Sequence, residues 1–538
     1  MIKLITILTS NVKRINVFSQ AKYSTTFLPQ FSSEKYDVKR KKFGVLNSTD
    51  VDYFKSVLSE DRVLTEESDV LPFNIDWIKN CRGQSQLVLK PKTTEEVSQI
   101  LSYCNEKHLA ICPQGGNTGL VGGSVPVFDE IVLNFGLMNN IISLDDISGA
   151  LVCEAGCVLE NLDNYVRDHN LIMPLDLGAK GSCQIGGNVS TNAGGLRLLR
   201  YGNLHGSVLG LEAVKADGTV VNCLRTLKKD NTGYHLKHLF IGSEGTLGVV
   251  TKVAIHCPVL PKSVSLGYFG VESFENVLKL YQNAKSSLGE ILSAFEMADN
   301  DSISATLDSF KLANPIAEYP FYVLLETHGS NEAHDNEKLS RFLTQGMERG
   351  LILDGTVTSE LTKMKNIWHI RESIAGAGLA GGYVFKYDVS LPLSRYYALV
   401  HTLRERFSHP ARVYGYGHVG DGNIHINVIV PEYSKEITAK LEPFIFEEVA
   451  KVGGSISAEH GIGFRKPQFI HYSKDKTALN LMKDLKKSMD PNGCHHQVMR
   501  AWSASCSARS YTPLMLETVR PPGIRQQCHP APNLSLFK

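Results

Sequence analysis

Two histidines, His418 and His425, stand seven residues apart in the stretch GYGHVGDGNIHIN, residues 415–427, with Asp421 and Gly422 between them. Asp-Gly is a favoured two-residue type I′ turn. A hairpin closed on that pair would set residues 418 and 425 directly opposite each other, on one side of the ribbon. Opposed Cβ atoms lie roughly 4.5–5.5 Å apart, near enough for two imidazoles to share one metal ion. Asn427 projects from the same side, two residues beyond His425. A third ligand is available in SAEHGIG, where Glu459 precedes His460. Two imidazoles and a carboxylate suit Zn2+ or Mn2+ and leave coordination positions open. A single strand histidine is more often an ordinary hydrogen-bonded residue. The spacing, joined to a downstream Glu-His pair, is what points to a metal.

A second chemistry lies in the glycine loops. PQGGNTG (113–119) follows a strand-like run, and its glycines let backbone N–H groups approach an anion such as a pyrophosphate. PLDLGAKGSCQIGGNVSTNAGGLRLLRYG (174–202) is too poor in apolar residues for ordinary core and suits backbone wrapped around a large polar ligand. GSEGTLGVV (242–250) is a third such stretch. Either long loop alone would be read as surface turns; their recurrence points to one ligand. Gly415, Gly417 and Gly420 spell GxGxxG, but the alternating NIHINVIV that follows reads as a strand. A dinucleotide fingerprint needs a helix there, so NAD binding at this loop is rejected.

The elements that must position these residues alternate between helix and strand. SQLVLKP reads as a strand stopped by Pro91. Thr93 and Glu96 have capping-box spacing before Val97, Ile100, Leu101 and Cys104 at helical intervals. LAICP, EIVLNFG, GALVCEAGCV and LGVVTKVAIHCP read as strands, and VLENLDNYVRDHN as a helix. Beyond residue 260 come helical SFENVLKLYQNAKSS and DNEKLSRFLTQGME, with strands in YPFYVLLETHG and GYVFKYDVSLP. TALNLMKDLKKSMDP is an amphipathic helix stopped by Pro491.

Of 538 residues, 43% are hydrophobic and 21% charged, with a net charge of +1, so no basic excess suggests nucleic acid. No apolar run approaches the roughly 20 residues of a membrane span. Eleven cysteines without a CxxC pair read as reduced thiols in a non-secretory compartment. Residues 1–33 carry no Asp or Glu but include Lys3, Lys13, Arg14 and Lys22, the composition of a mitochondrial transit peptide. Residues 494–538 have one acidic residue, several prolines and no persistent period, and read as a disordered tail.

PQGGNTGLVGG, PLDLGAKGSCQIGGNVSTNAGG and GSEGTLGVVT resemble the FAD-binding domain of the vanillyl-alcohol oxidase type, a likeness covering most of residues 45–493. It implies an α+β fold. A two-subdomain FAD-binding domain would occupy residues 45–260, and an α+β substrate or cap domain with an antiparallel sheet residues 261–453. Residues 454–493 would complete the active site and pack on the FAD domain. By the resemblance, Pro113, Gln114, Gly115, Gly116, Asn117, Thr118 and Gly119 cradle the FAD pyrophosphate. Gly178, Ser182, Cys183, Gly186, Gly187 and Asn188 border the isoalloxazine ring, with Thr191, Asn192, Gly194 and Gly195. Gly248 and Val249 complete the flavin contacts. Some members attach FAD covalently through a histidine just after the paired glycines; Asn117 stands there, so non-covalent FAD is expected.

The histidine hairpin and AEHGIG resemble the metal centre of the D-2-hydroxyacid dehydrogenase branch of that family. The resemblance implies that His418, His425 and Glu459 hold the metal and that His460 is the general base, with Asn427 and His460 on the substrate. Arg371 of HIRESIAGAGL and Lys386 of FKYDVSLP would bind substrate carboxylates. The implied reaction oxidises a D-2-hydroxy acid, foremost D-2-hydroxyglutarate to 2-oxoglutarate. Hydride would pass to flavin N5 and electrons to electron-transfer flavoprotein, in the mitochondrial matrix. Ala375 stands where the branch has a threonine, which opens D-lactate or D-malate as an alternative. After DPNG (490–493) the chain also leaves the branch's apolar-Asn-Pro pattern. Readings of another class are a flavin-free zinc hydrolase and an inactive relative.

Overall fold

Thr93 starts the first long helix as its spacing predicts. Its side chain accepts from Glu96 N at 3.2 Å, and Val97, Ile100, Leu101 and Cys104 are buried along one face of Thr94–Lys107. The reciprocal half of the box is diverted, because Glu96 Oε2 accepts instead from Lys92 N and from Arg62. These features come from a computed structural model, which describes residues 28–407 and 411–495.

The first half of the chain holds two sheets. Strands β1 (Val63–Leu64), β2 (Val88–Leu89), β3 (Ile111–Gln114) and β4 (Ile131–Asn134) form one, in the order β1-β2-β4-β3. The chain crosses from β2 to β3 through the Thr94–Lys107 helix, and β4 runs parallel to both strands. The second sheet contains β5 (Ile141–Asp145), β6 (Ala150–Glu154), β7 (Val208–Val214), β8 (Val220–Cys223) and β9 (Val249–His256). Its order is β5-β6-β9-β7-β8, all antiparallel. The glycine-rich chain between β6 and β7 includes the helix Ile185–Thr191.

The third sheet has seven strands: β10 (Ser263–Val271), β11 (Leu292–Asp299), β12 (Phe321–Gly329), β13 (Asp354–Thr358), β14 (Tyr383–Ser390), β15 (Arg412–His418) and β16 (Asn423–Val430). They pair antiparallel throughout, in the order β13-β10-β12-β11-β15-β16-β14. The period of two divides the faces. Phe385, Tyr387 and Val389 of β14, with Ile424, Ile426 and Val428 of β16, enter one core. The helices Phe274–Leu288, Glu332–Glu348, Ala398–Arg406 and Lys435–Lys451 cover it. The opposite face packs Leu266, Tyr268, Tyr322 and Leu324 against the helices Asn300–Phe310 and Leu361–Ala377. At its β11-β15-β16-β14 end that face turns polar, presenting Glu296, His418, His425, Asn427, Lys386 and Asp388.

Both ends of the fold differ from the expected boundaries. Residues 1–27 lie outside the described part, but Ser32 is fully buried, and its hydroxyl accepts from Arg82 N at 2.8 Å. Packed residues are therefore present within the 1–33 stretch expected as a leader. At the other end the tail was expected from residue 494. Instead Cys494 and His495 are buried, and Cys494 O accepts from Ile111 N, extending the β3 edge. Residues 496–538 of that expected tail lie outside the described part.

Ile426 is fully buried on the apolar face, one residue from His425. Ile426→Ala should lower the unfolding free energy by about 2–5 kcal/mol in urea titration. A loss below about 1 kcal/mol would show that this face is not close-packed core.

Candidate metal and flavin site

The hairpin forms, with a register two residues away from the expected one. His418 pairs with Asn423, and His425 with Tyr416. The loop is residues 419–422, not the Asp421-Gly422 pair alone. Val419 is the reason: its N–H donates to Phe295 O of β11, and its side chain is buried, which removes it from the β15-β16 ladder. Asp421 then caps the return, accepting from Asn423 N at 3.0 Å. A one-residue slip would have moved the histidines to opposite faces; a two-residue shift keeps them together. Their Nε2 atoms lie 3.3 Å apart. The rejected GxGxxG is strand, loop and strand here, with β16 following.

Glu459 completes the cluster. Its Oε1 lies 3.1 Å from His418 Nε2 and 3.9 Å from His425 Nε2. Ligands bound at 2.0–2.1 Å around a tetrahedral ion stand about 3.3 Å from one another, so the spacing fits a shared Zn2+. Glu459 Oε1 is buried without a hydrogen bond, so it is an acceptor in need of positive charge. His418 Nδ1 sits 2.6 Å from Glu296 Oε1. With a cation bound, that contact would keep the ring proton on Nδ1 and turn Nε2 toward the cluster. Burial opposes charge on His418, but Glu296 outweighs it and raises the pKa well above the usual histidine range. Burial pushes His425 down to about 3, keeping it in the neutral, ligating form.

Asp388, His425 and His460 also converge. Asp388 has another task, which sequence reasoning missed. Its Oδ2 accepts from three consecutive backbone N–H groups, of Ala458, Glu459 and His460, at 3.1, 2.9 and 2.9 Å. Its Oδ1 accepts from Asn423 Nδ2 at 2.8 Å. The carboxylate thus joins the loop bearing Glu459 and His460 to the histidine hairpin, and is more anchor than ligand. Burial raises its pKa, yet His460, His425 and Lys466 hold it well below the usual carboxylate range. Glu296 is the second missed residue. An acidic residue on a strand face otherwise destined for core was the available signal for both.

The remaining expected residues fall around this cluster. The His460 ring stacks on His425 at 5.5 Å, with Nδ1 3.8 Å from Asp388 Oδ2. Asn427 lies opposite Lys386 and donates to Tyr416 OH at 3.5 Å. Lys386 Nζ donates to Ala375 O at 2.6 Å and lies 5.8 Å from the Trp77 ring centroid. Burial pushes its pKa down to about 8. Arg371 is engaged within the protein: Nε and Nη2 donate to Glu296 Oε2 at 3.1 and 2.7 Å.

The flavin loops pack on each other through missing side chains. A Cβ on Gly116 would stand 2.0 Å from Ser182 O, and one on Gly186 2.5 Å from Ala155 Cβ. Asn117 is left-handed at φ +53; its amide donates to Ile75 O and accepts from Ser124 Oγ. Among the described residues, no protein acceptor takes the backbone N–H groups of 115–119, which leaves them available for a diphosphate. Gln184 Oε1 and Asn188 Oδ1 are buried acceptors without partners, and no atom lies within 4 Å of where a Gly178 or Gly187 side chain would begin. These loops therefore fit a large ligand bearing both anionic and donor groups, as FAD does. Gly194 ties them to the His418, His425 and Glu459 cluster, since its Cβ position is 3.4 Å from Glu459 Cβ.

Two glycine-loop sheets joined to an antiparallel cap sheet define an FAD-linked oxidoreductase of the vanillyl-alcohol oxidase type. Residues 85–224 match the family model of the FAD binding domain, and residues 260–494 that of the FAD linked oxidase C-terminal domain. The fold is similar to p-cresol methylhydroxylase, at TM-score 0.67 and 16% identity over 82% of this chain and 94% of that one. The chain is 54% identical to D-2-hydroxyglutarate dehydrogenase, mitochondrial, of Danio rerio, over 84% of this chain and 85% of the relative. It is 47% identical to the D-2-hydroxyglutarate–pyruvate transhydrogenase of Saccharomyces cerevisiae, over 86% and 97%. The chain belongs to the D-2-hydroxyglutarate dehydrogenase family. That membership sets aside the flavin-free hydrolase.

Glu296→Gln should weaken Zn2+ binding roughly 10–100-fold, because the carboxylate orienting His418 is lost. Titration calorimetry on metal-depleted protein measures this, and an unchanged affinity would remove Glu296 from the metal's support.

Proposed function

We propose that the chain oxidises D-2-hydroxyglutarate to 2-oxoglutarate, using FAD and a divalent cation held by His418, His425 and Glu459. The observation that carries this is the convergence of those three ligands beside Gly194 of the flavin loop. When bound, FAD supplies the two-electron acceptor and the cation a Lewis acid for the substrate's hydroxyl and carboxylate. His460 takes the hydroxyl proton, and Asp388 orients it through both its backbone N–H and its ring. Lys386 and Asn427, paired across β14 and β16, receive the distal carboxylate. Arg371, ion-paired to Glu296, braces the carboxylate that faces His418. Lys386, Glu296 and Asp388 share one sheet face, so the substrate lies along that face with its reacting end at the histidines.

Ala375 favours a second substrate reading. Its side chain ends at Cβ and its carbonyl already holds Lys386, so this wall adds no hydroxyl for a long diacid. D-lactate and D-malate are the shorter candidates. Electron-transfer flavoprotein is the acceptor we assign, on the family resemblance, and the mitochondrial matrix is the location. The acid-free first 33 residues and the mitochondrial names of the relatives support that location.

Anaerobic mixing with D- and L-2-hydroxy acids tests the reading. D-2-hydroxyglutarate should bleach the flavin absorbance, its L isomer should not, and chelation should slow bleaching at least about tenfold. Bleaching indifferent to metal removal would sink the cation's role. His460→Ala should reduce the bleaching rate about 10²–10⁴-fold with flavin still bound.

Lys386 gives a pH signature. Its charge is present below about 8 and lost above, so kcat/KM for the diacid should fall as pH rises through about 8. Lys386→Met should abolish that limb; an unchanged profile would show that Lys386 does not meet the substrate.

A further inference from the structure

The segment bearing Glu459 and His460 is gripped twice. Asp388 holds its first part from the cap sheet, as described. Glu244, from the flavin half, holds its second: Oε1 accepts from Ile462 N and Oε2 from Gly463 N, both at 2.8 Å. Only Gly461 separates the two grips in sequence. Between them the segment is braced, because Ser457 Oγ donates to Gly461 O at 2.7 Å. It therefore transmits displacement as a short rigid piece.

Glu244 is itself tied to the flavin loop. It adopts a left-handed conformation at φ +53, and its N–H donates to Ser190 O at 2.7 Å, in the helix Ile185–Thr191. The close approach requires glycine at both neighbouring positions. Gly461 has φ +83, and a Cβ there would stand 2.9 Å from the Glu244 carboxyl carbon. Gly463 has φ +53, and a Cβ there would stand 2.1 Å from Val121 O. One continuous path of hydrogen bonds thus runs from the flavin helix through Glu244 to the segment carrying a metal ligand and the proposed base.

We propose that Glu244 is a positioning residue that couples the metal cluster to the flavin. It fixes Glu459 and His460 relative to the 185–195 segment, so that closure of the ligand set on a cation is felt at the flavin. This rests on the FAD and metal reading given above. It extends that reading by assigning the coupling to one carboxylate that touches neither group's expected reacting atoms.

The test uses FAD-loaded holoenzyme stripped of metal with chelator and titrated with ZnCl2. Binding is followed by calorimetry, and the flavin by its visible difference spectrum. The unaltered protein should show a difference spectrum that saturates with the calorimetric Kd. Glu244→Gln should keep Zn2+ affinity within about threefold but lose at least about half of the spectral amplitude. Its kcat should fall about tenfold with KM within about twofold, the pattern of misplaced rather than missing groups. If Glu244→Gln does not fold, Gly461→Ala decides, since it crowds the same carboxylate without removing it. Full amplitude and normal kcat in whichever variant folds would overturn the proposal. So would Zn2+ binding to the unaltered holoenzyme without any flavin change, a result that leaves the metal reading standing. No Zn2+ binding at all would instead defeat the metal reading, and the coupling with it.

Discussion

One carboxylate oxygen organises the site. Asp388 Oδ2 takes three successive N–H groups from Ala458 to His460, a backbone concavity that a neutral side chain would fill poorly. Charge-assisted hydrogen bonds of this kind are about twice as strong as neutral ones. The anchor must also stay ionised while buried, which the neighbouring imidazoles and Lys466 ensure. The bridge between Ser455 and Ser390 of β14 brings the segment to the sheet, and Asp388 fixes Glu459 and His460 beyond it. The histidines come from sheet and Glu459 from irregular chain; Asp388 gives them one frame.

A second buried charge set orients the sheet side. Glu296, on β11, faces His418 through one oxygen and Arg371 through the other. Burial alone would raise its pKa, but His418 and Arg371 together hold it at about 2. Removing one member of such a set leaves an uncompensated buried charge and costs about 3–5 kcal/mol, whereas an apolar replacement of the whole set can be neutral. A protein selected for stability alone could dispense with the triad. Its place beside His418 is better explained by orientation of that ring than by stability. The same environment sends the two histidines in opposite directions, His418 up and His425 down. Proximity to Glu296 separates them, since both are buried in the same cleft.

Much of this was legible in the sequence. Strand alternation placed His425 and Asn427 on one face, and a shift of two residues preserved that placement. Capping chemistry located the Thr94–Lys107 helix. The glycine stretches marked the flavin loops, although the helix at 185–191 inside one of them was not foreseen. The failures share a cause. Val419 left its ladder to pair with Phe295, and Glu296, which joins His418 to Arg371, was not foreseen, contacts spanning 124 and 75 residues of chain. Local periodicity carries no information about such partners. Asp388 and Glu244 were invisible for a related reason: each acts on backbone N–H groups, which every residue has and no motif spells.

The division of labour between the halves follows from these contacts. A metal ligand set drawn wholly from the cap sheet would hold its ion well but would leave its distance from the flavin to the packing of two separate cores. A set drawn from the flavin loops would lack rigid strands for its imidazoles. The chain uses a segment whose Ile456 and Ile462 pack on the cap core, fastened to each half by a buried carboxylate, with Gly194 permitting the flavin loop to touch Glu459 directly. Position errors of about 1 Å can cost a factor of roughly 10² in rate, so under the proposed function both fastenings would bear on catalysis even though neither carboxylate needs to touch substrate. The glycines at 461 and 463 are then explained by approach, because any side chain there would displace the oxygen or the backbone that sets the distance.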